Sequence, residues 1–387
     1  MGKLLTIVPF FRIVPFSART RNSLNTRGDM RNTIGWAIVP GYVIFTVPTI
    51  LTVRALLTAS ILCCPMLMAA TLASHPNAAE KKTSLTDATI KYEVAAKGFA
   101  VLERAGIKAV IVNNDAVDAQ DIPGHRGGYS GVASLKHEKQ SRNIFVPAYA
   151  GLNFEHIHDG TLAGLKEKFE PRKFPMELRV INSHCVELYQ PPTGNWKLES
   201  CGRYELLNDG TIQYTFECIP RTGGYRNGYI GLFWASYIST PEVKSIHFRG
   251  RLRGSKETSK WIEGVTPKHG EEATHSPVGV ELLKMDEDFP LTLVNHPSKY
   301  EYADPYYYGV SHQMALVQVF RQRDGVWMAQ SPTGGGAENP AWDFQWFIKD
   351  YKVNEAYGFV MRAAYVPYLG QKQLTELAQR HIREMTQ

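Results

Sequence analysis

Cysteine is scarce: the 387 residues contain five, of which Cys63 and Cys64 fall in a hydrophobic leader and Cys185, Cys201 and Cys218 lie beyond it. Three thiols permit at most one disulfide, which excludes a cysteine-stapled scaffold, and no Cys-x-x-Cys spacing offers a metal or redox pair. Nucleophile and phosphate signatures are missing too. The sequence has no Gly-x-Ser-x-Gly elbow, no His-Glu-x-x-His and no Gly-x-x-x-x-Gly-Lys, which disfavours a triad protease, a zincin and a phosphate-loop protein. An excess of one charge is also lacking where it would matter. The formal charge is +6, from 43 Lys and Arg against 37 Asp and Glu, but residues 1–79 hold seven of the bases against Asp29 alone, so residues 80–387 balance at 36 of each. A neutral body gives no reason to expect a nucleic-acid partner. With 21% charged and 11% aromatic residues, wholesale disorder, collagen and coiled coil are excluded as well.

The leader, residues 1–79, is basic and then apolar. Residues 33–53 carry no charge, nor do residues 55–79 after the single Arg54. Such a segment is either a secretory signal or a membrane anchor. Pro40, Gly41, Pro48 and Pro65 interrupt the apolar runs and small residues are frequent at 69–79, so removal is the favoured reading, with Thr71-Leu72-Ala73 as a cleavage site and Met30 as an alternative start. Leu62 stands where acylation of Cys63 would require a small residue. The expectation is a protein exported to the periplasm or beyond, touching membrane only if the leader stays uncleaved.

The body reads as strands. Segments 89–94, 108–113, 142–149, 176–181, 202–207, 211–219, 229–238, 244–249, 314–321, 326–330 and 357–366 are short, rich in Val, Ile, Tyr, Phe and Thr, and punctuated by Gly, Pro, Asn or Asp. Asn208-Asp209-Gly210 predicts a hairpin turn, and Arg323-Asp324-Gly325 a second one. Only residues 371–385 have a clear helical period, with Leu374, Leu377, Ala378 and Ile382 on one face. The absence of strand–helix alternation argues against a doubly wound fold. The predicted architecture is all-β, a large two-sheet antiparallel sandwich over residues 80–370 with a C-terminal amphipathic helix over 371–387 packed outside.

Three places within residues 89–368 carry a family resemblance: Gly127-Gly128-Tyr129-Ser130-Gly131-Val132, Tyr229-Ile230-Gly231-Leu232-Phe233-Trp234, and Asn339-Pro340-Ala341-Trp342-Asp343-Phe344 leading to Asn354-Glu355-Ala356-Tyr357-Gly358-Phe359. Their order resembles the galactose-mutarotase-like supersandwich, the fold of aldose 1-epimerases and of the β-domains of polysaccharide-processing enzymes. The resemblance implies the supersandwich fold. It does not extend to the Asn-x-x-x-His-x-Tyr-Phe strand that carries the epimerases' general acid, so activity does not come with the fold.

Polar residues cluster at three points. Asn153-Phe154-Glu155-His156-Ile157-His158-Asp159 on a regular strand puts His156 and His158 on one face and Glu155 on the other, a pair able to grip a metal or a sugar ring. Lys268-His269-Gly270-Glu271 lies in a loop, where His269 and Glu271 suit acid/base work. Gly124-His125-Arg126-Gly127 places an imidazole and a guanidinium beside glycines, and Arg126 suits a sugar carboxylate. Tyr307 and Trp342 are candidate stacking platforms, since a strand cannot turn Tyr306, Tyr307 and Tyr308 all inward.

The candidate catalytic set is therefore His125, Glu155, His156, His158, His269 and Glu271, with Arg126, Asn153, Tyr307 and Trp342 for substrate. No cofactor or metal is required by this reading. It expects a carbohydrate partner and, if catalysis occurs, epimerisation, hydrolysis or β-elimination. A non-catalytic envelope protein and a metal enzyme using His156 and His158 are the rivals.

Overall fold

The computed structural model describes residues 82–164, 166–289 and 296–386. The leader and its Cys63 and Cys64 lie outside the described residues. The chain divides into two units, Met1–Thr71 and Leu72–Gln387, and the described residues all belong to the second.

The described residues form large antiparallel sheets. A ten-stranded sheet runs in the order Glu93–Val94, Glu177–Asn182, Cys185–Gln190, Leu198–Leu206, Ile212–Pro220, Tyr357–Pro367, Met314–Phe320, Tyr300–Ser311, Ile246–Leu252, Lys260–Gly264. A five-stranded sheet runs Thr274–His275, Trp327–Ser331, Ala341–Lys349, Tyr229–Ala235, Asn153–His158, and smaller sheets of three and two strands complete the set. The all-β expectation holds, with the C-terminal helix at Gln371–Thr386.

Alternation explains the layering. One face of each large sheet is aromatic, and these faces form one continuous core. At its centre Trp234 stacks on Phe154 at 5.0 Å and Phe344 at 5.2 Å from its own sheet, and meets Phe216 at 4.9 Å and Phe359 at 5.1 Å from the other. The indole N–H donates to the Tyr214 hydroxyl at 3.1 Å, so the one polar atom of the stack is satisfied.

The hairpin joins Leu198–Leu206 to Ile212–Pro220 through Asp209 and Gly210. Gly210 has φ +81°, and a Cβ there would meet Ile107 Cγ1 at 2.9 Å. Gly210→Ala is expected to cost about 1–2 kcal/mol, the penalty of a left-handed L-residue, read as a lower urea midpoint at unchanged slope.

Two expectations need correction. Segment 142–149 is not a strand: it contributes the isolated bridge from Phe145 to Ile238. Tyr306, Tyr307 and Tyr308 are all buried, at 0%, 0% and 1% exposure. Alternation does send Tyr306 and Tyr308 to the outer side of their sheet, but Leu374 and Ala378 of the C-terminal helix and Trp261 cover that side. The helix seals an aromatic face that would otherwise be wet.

Candidate functional site

Strand Asn153–His158 pairs with Tyr229–Ala235 irregularly. His156 faces Phe233, whereas Phe154 faces Trp234, leaving Glu155 as an extra residue in a β-bulge. A bulge shifts the side-chain phase by one, which re-aims the residues beyond it. Phe154 and Ile157 therefore both enter the core, and the polar residues are freed for the opposite face. The expected split of Glu155 from the histidines is thus corrected: the ring of His156 and the carboxylate of Glu155 meet, Nε2 to Oε1, at 3.6 Å.

Glu155 is 5% exposed and heavily engaged. The Tyr237 hydroxyl donates to its Oε2 at 2.5 Å and Asn153 Nδ2 to the same oxygen at 3.1 Å. Arg172 Nη1 stands 3.5 Å from Oε1. Burial pushes the Glu155 carboxyl above the usual range, and the opposing pull of Arg172, Tyr237 and Asn153 does not fully offset it. The Tyr237 hydroxyl is raised well above its ordinary value, by burial first and then by the charge of Glu155.

Arg172 reaches the site from the one-turn helix Glu170–Lys173. Its Nε donates to the Gly128 carbonyl at 2.7 Å, and its guanidinium lies 3.8 Å over Tyr129 and 4.7 Å over Phe169. Tyr129, Tyr149 and Tyr237 pack together with centroids 4.5, 5.7 and 5.0 Å apart. The exposed Arg126 lies 5.7 Å over Tyr149.

The two histidines of the strand have different settings. The Nδ1–H of His156 donates to the Lys168 carbonyl at 2.5 Å, which fixes the tautomer and leaves Nε2 bare toward Glu155. His158 lies over Gly231, where a Cβ would come within 2.3 Å of its ring, and among Phe289, Phe347 and Tyr229 at 5.1, 6.0 and 6.4 Å. Neither of its ring nitrogens has a partner. Burial lowers both histidines to about 3.

The neighbouring strand Ala341–Lys349 supplies a second carboxyl. Asp343 is 1% exposed, its Oδ1 accepting from Ser236 N–H at 2.9 Å. Burial raises its pKa well above the ordinary value, and the charge of Glu155 adds to the rise. Exposed His269 shares a hydrogen bond with the Ser331 hydroxyl at 2.7 Å. Its pKa is lowered by desolvation, then by Lys168, against a smaller opposing pull from Glu155.

Two of the three polar segments meet at Glu155, through Gly128 and Tyr129 with Arg172 and through Asn153–His158, whereas His269 is bonded to Ser331. Individual candidates do not all join them. His125 is a core residue whose nitrogens meet the carbonyls of Tyr129 at 2.9 Å and Pro147 at 3.4 Å. Glu271 pairs with exposed Lys268. Tyr307 and Trp342 sit in the core at 0% exposure, bonded to the carbonyls of Asp343 and Lys244, so neither is a stacking platform. Asp159 closes a turn, accepting from the backbone N–H of Thr161 and of Arg226. Among the described residues no three of His, Cys, Asp and Glu assemble as a metal site.

Arg172, Tyr237 and Asp343 were not singled out by sequence. Asp343 had a readable signal: in Trp342-Asp343-Phe344-Gln345-Trp346 the aromatic residues alternate with polar ones. Arg172 had none, since it reaches Glu155 from a one-turn helix.

No family model matches the chain, and no curated protein does. Among solved structures, a galactose mutarotase-related enzyme from Lactobacillus acidophilus is similar at 10% identity and TM-score 0.40, over 70% of this chain and 100% of that one. A heparan sulfate lyase from Pedobacter heparinus is similar at 9% identity and TM-score 0.34, over 72% of this chain and 38% of that one. A 4-alpha-glucanotransferase from Thermococcus litoralis is similar at 9% identity and TM-score 0.32, over 72% and 40%.

Proposed function

We propose that this is an exported carbohydrate-active protein that binds a sugar against the Tyr129, Tyr149 and Tyr237 cluster and moves a proton on it with the Glu155 and Tyr237 pair. The observation that carries the reading is the 2.5 Å bond from the Tyr237 hydroxyl to Glu155, with Arg172 3.5 Å from the same carboxyl. A buried glutamic acid with a raised pKa holds its proton more readily than an exposed one, and a phenol bonded to it is a partner through which the proton can pass. Flat rings with polar tips suit the apolar faces of a sugar, with hydroxyls left for the exposed His269 and Arg126. Arg172 is anchored to Gly128 and two rings beside the Glu155 carboxyl, and the exposed Arg126 keeps the part of meeting a sugar carboxylate. Export rests on the leader's uncharged runs alone.

The test is to incubate the purified protein with neutral sugars, oligosaccharides and uronides. Optical rotation reads epimerisation, reducing ends read hydrolysis, and ultraviolet absorbance reads an unsaturated uronide. Tyr237→Phe, which removes only the hydroxyl, is expected to lower turnover about tenfold to a hundredfold while glycan binding persists. Glycan retention without turnover in the wild type favours the non-catalytic reading. Neither retention nor turnover removes the sugar proposal.

A further inference from the structure

We propose that Asn114 is a positioning residue of the Glu155 site, holding with its side chain the one-turn helix that carries Arg172 and with its backbone the glycine that steers the guanidinium. Asn114 lies just beyond strand Ile107–Val112 of the three-stranded sheet. A helix of four residues does not hold its own shape, because nucleation costs more than a single turn returns. Glu170–Lys173 also has no side-chain cap at its start. Its conformation is imposed by its neighbours.

Three side chains grip that turn. Asn114 Nδ2 donates to the carbonyls of Pro171 and Phe174 at 2.7 and 2.6 Å. Gln190, at the end of strand Cys185–Gln190 in the ten-stranded sheet, donates with Nε2 to the same two carbonyls at 2.8 and 3.1 Å. At the start of the turn Glu170 Oε1 accepts from the N–H groups of Asn195 and Trp196 at 2.9 and 2.8 Å. Asn114 differs from the other two in what its backbone does. Its carbonyl accepts from Gly128 N–H at 2.8 Å, and the Gly128 carbonyl in turn accepts from Arg172 Nε at 2.7 Å. The bonds close a ring that runs from the Asn114 amide through the helix, Arg172 and Gly128 back to the Asn114 carbonyl. A Cβ on Gly128, at φ +85°, would stand 3.1 Å from the Arg172 carbonyl, and one on Gly127 3.3 Å from the Asn114 carbonyl, so the paired glycines let the ring close.

The ring fixes where the guanidinium ends, 3.5 Å from Glu155 Oε1 and 3.8 Å over Tyr129. The ionisable groups that face Glu155 are His156 on its own strand, Tyr237, Asp343, Lys168 and Arg172. Of these Arg172 exerts the largest pull toward the ionised form. Asn114 therefore acts on the Glu155 proton through Arg172. Its part in turnover rests on the sugar reading above; its part in setting the Glu155 proton does not.

The test titrates the Glu155 carboxyl in the full protein by carbon NMR of labelled glutamate, its signal being the one missing from Glu155→Gln. In Asn114→Ala the two carbonyls keep Gln190, so the fold is expected to survive while Arg172 loses its fixed place. The Glu155 midpoint is expected to move up from the wild-type value toward that of Arg172→Met. Asn114→Ala added to Arg172→Met is expected to move it no further, because the effect runs through Arg172. On a sugar that the wild type consumes, Asn114→Ala is expected to lower kcat about tenfold with KM unchanged. Wild type without turnover counts against the sugar reading and leaves the titration to decide this one. Nitrogen NMR of the wild type decides the matter should Asn114→Ala fold poorly: the Arg172 Nε–H bonded to Gly128 is expected to exchange slowly with solvent. A midpoint unchanged in folded Asn114→Ala, an equal further shift in the Arg172→Met background, or a wild-type Nε–H that exchanges freely overturns the proposal.

Discussion

Glu155→Gln is expected to lower turnover of the sugar substrate by about 10²- to 10⁴-fold while the melting temperature moves little. The amide keeps the shape of the carboxyl and an acceptor oxygen for Tyr237 and Asn153, whose bonds to Oε2 fix the side chain. Arg172 loses its 3.5 Å ionic neighbour, but its bond to Gly128 and its rings remain, and its side chain is 16% exposed, so the charge is not stranded. Removing an acid whose burial already disfavours ionisation relieves part of that cost. Binding and stability should therefore survive while the transferable proton is gone. Turnover unchanged in Glu155→Gln, measured on the substrate the wild type consumes, removes Glu155 from the chemistry; loss of glycan retention together with the melting transition assigns it to the fold instead.

The architecture was readable because period-two patterning is a local property. Ile212, Tyr214 and Phe216 alternate with Gln213, Thr215 and Glu217, and the strand forms in register with Tyr357–Pro367 as that pattern requires. Where burial comes from a distant element, the same rule misled. Nothing near Tyr306 or Tyr308 announces that the C-terminal helix will cover them. The site was legible as segments and less so as residues. A bulge is a one-residue miscount between two strands, visible only in their pairing, and it put Glu155 on the face that alternation denied it. His125 looked functional from its glycine-rich setting, yet it is a buried strut between backbone carbonyls. Tyr237 falls inside the run 229–238 that reads as one strand, whereas the strand ends at Ala235 and Tyr237 makes an isolated bridge to Ala341, a break that the pattern does not show.

His158→Phe is expected to stabilise the protein, and by much more in acid than at neutrality. His156, His158 and His275 are each held at about 3 by burial, whereas an unfolded imidazole titrates near 6.5. The native state therefore refuses protons that the unfolded chain accepts. Each such group adds stability above about pH 6.5, and that stability is lost as the pH falls toward 3, at about 1.4 kcal/mol per unit. By pH 4.5 each has withdrawn about 2.7 kcal/mol, and three together about 8 kcal/mol, which is comparable with the whole stability of a typical domain. Glu155 and Asp343 act in the other direction, because carboxyls raised by burial bind protons more readily in the native state and so favour it on acidification. Asp324 is raised by burial too, but His125, His137, His247, His269 and His381 are lowered with the other three, so eight imidazoles stand against three carboxyls and a net loss of stability in acid is expected. His158 isolates one contribution cleanly: neither nitrogen has a partner, so a phenyl ring breaks no hydrogen bond and removes two buried orphan atoms. At pH 7 the gain is about 1–3 kcal/mol, and at pH 4.5 about 2.7 kcal/mol more. His156→Phe is the contrast, since it breaks the bond to the Lys168 carbonyl and costs stability at pH 7. Urea unfolding of both variants and wild type at pH 7 and 4.5 measures this. A His158→Phe gain that is the same at the two pH values would mean that the buried imidazole takes up its proton without opening the fold.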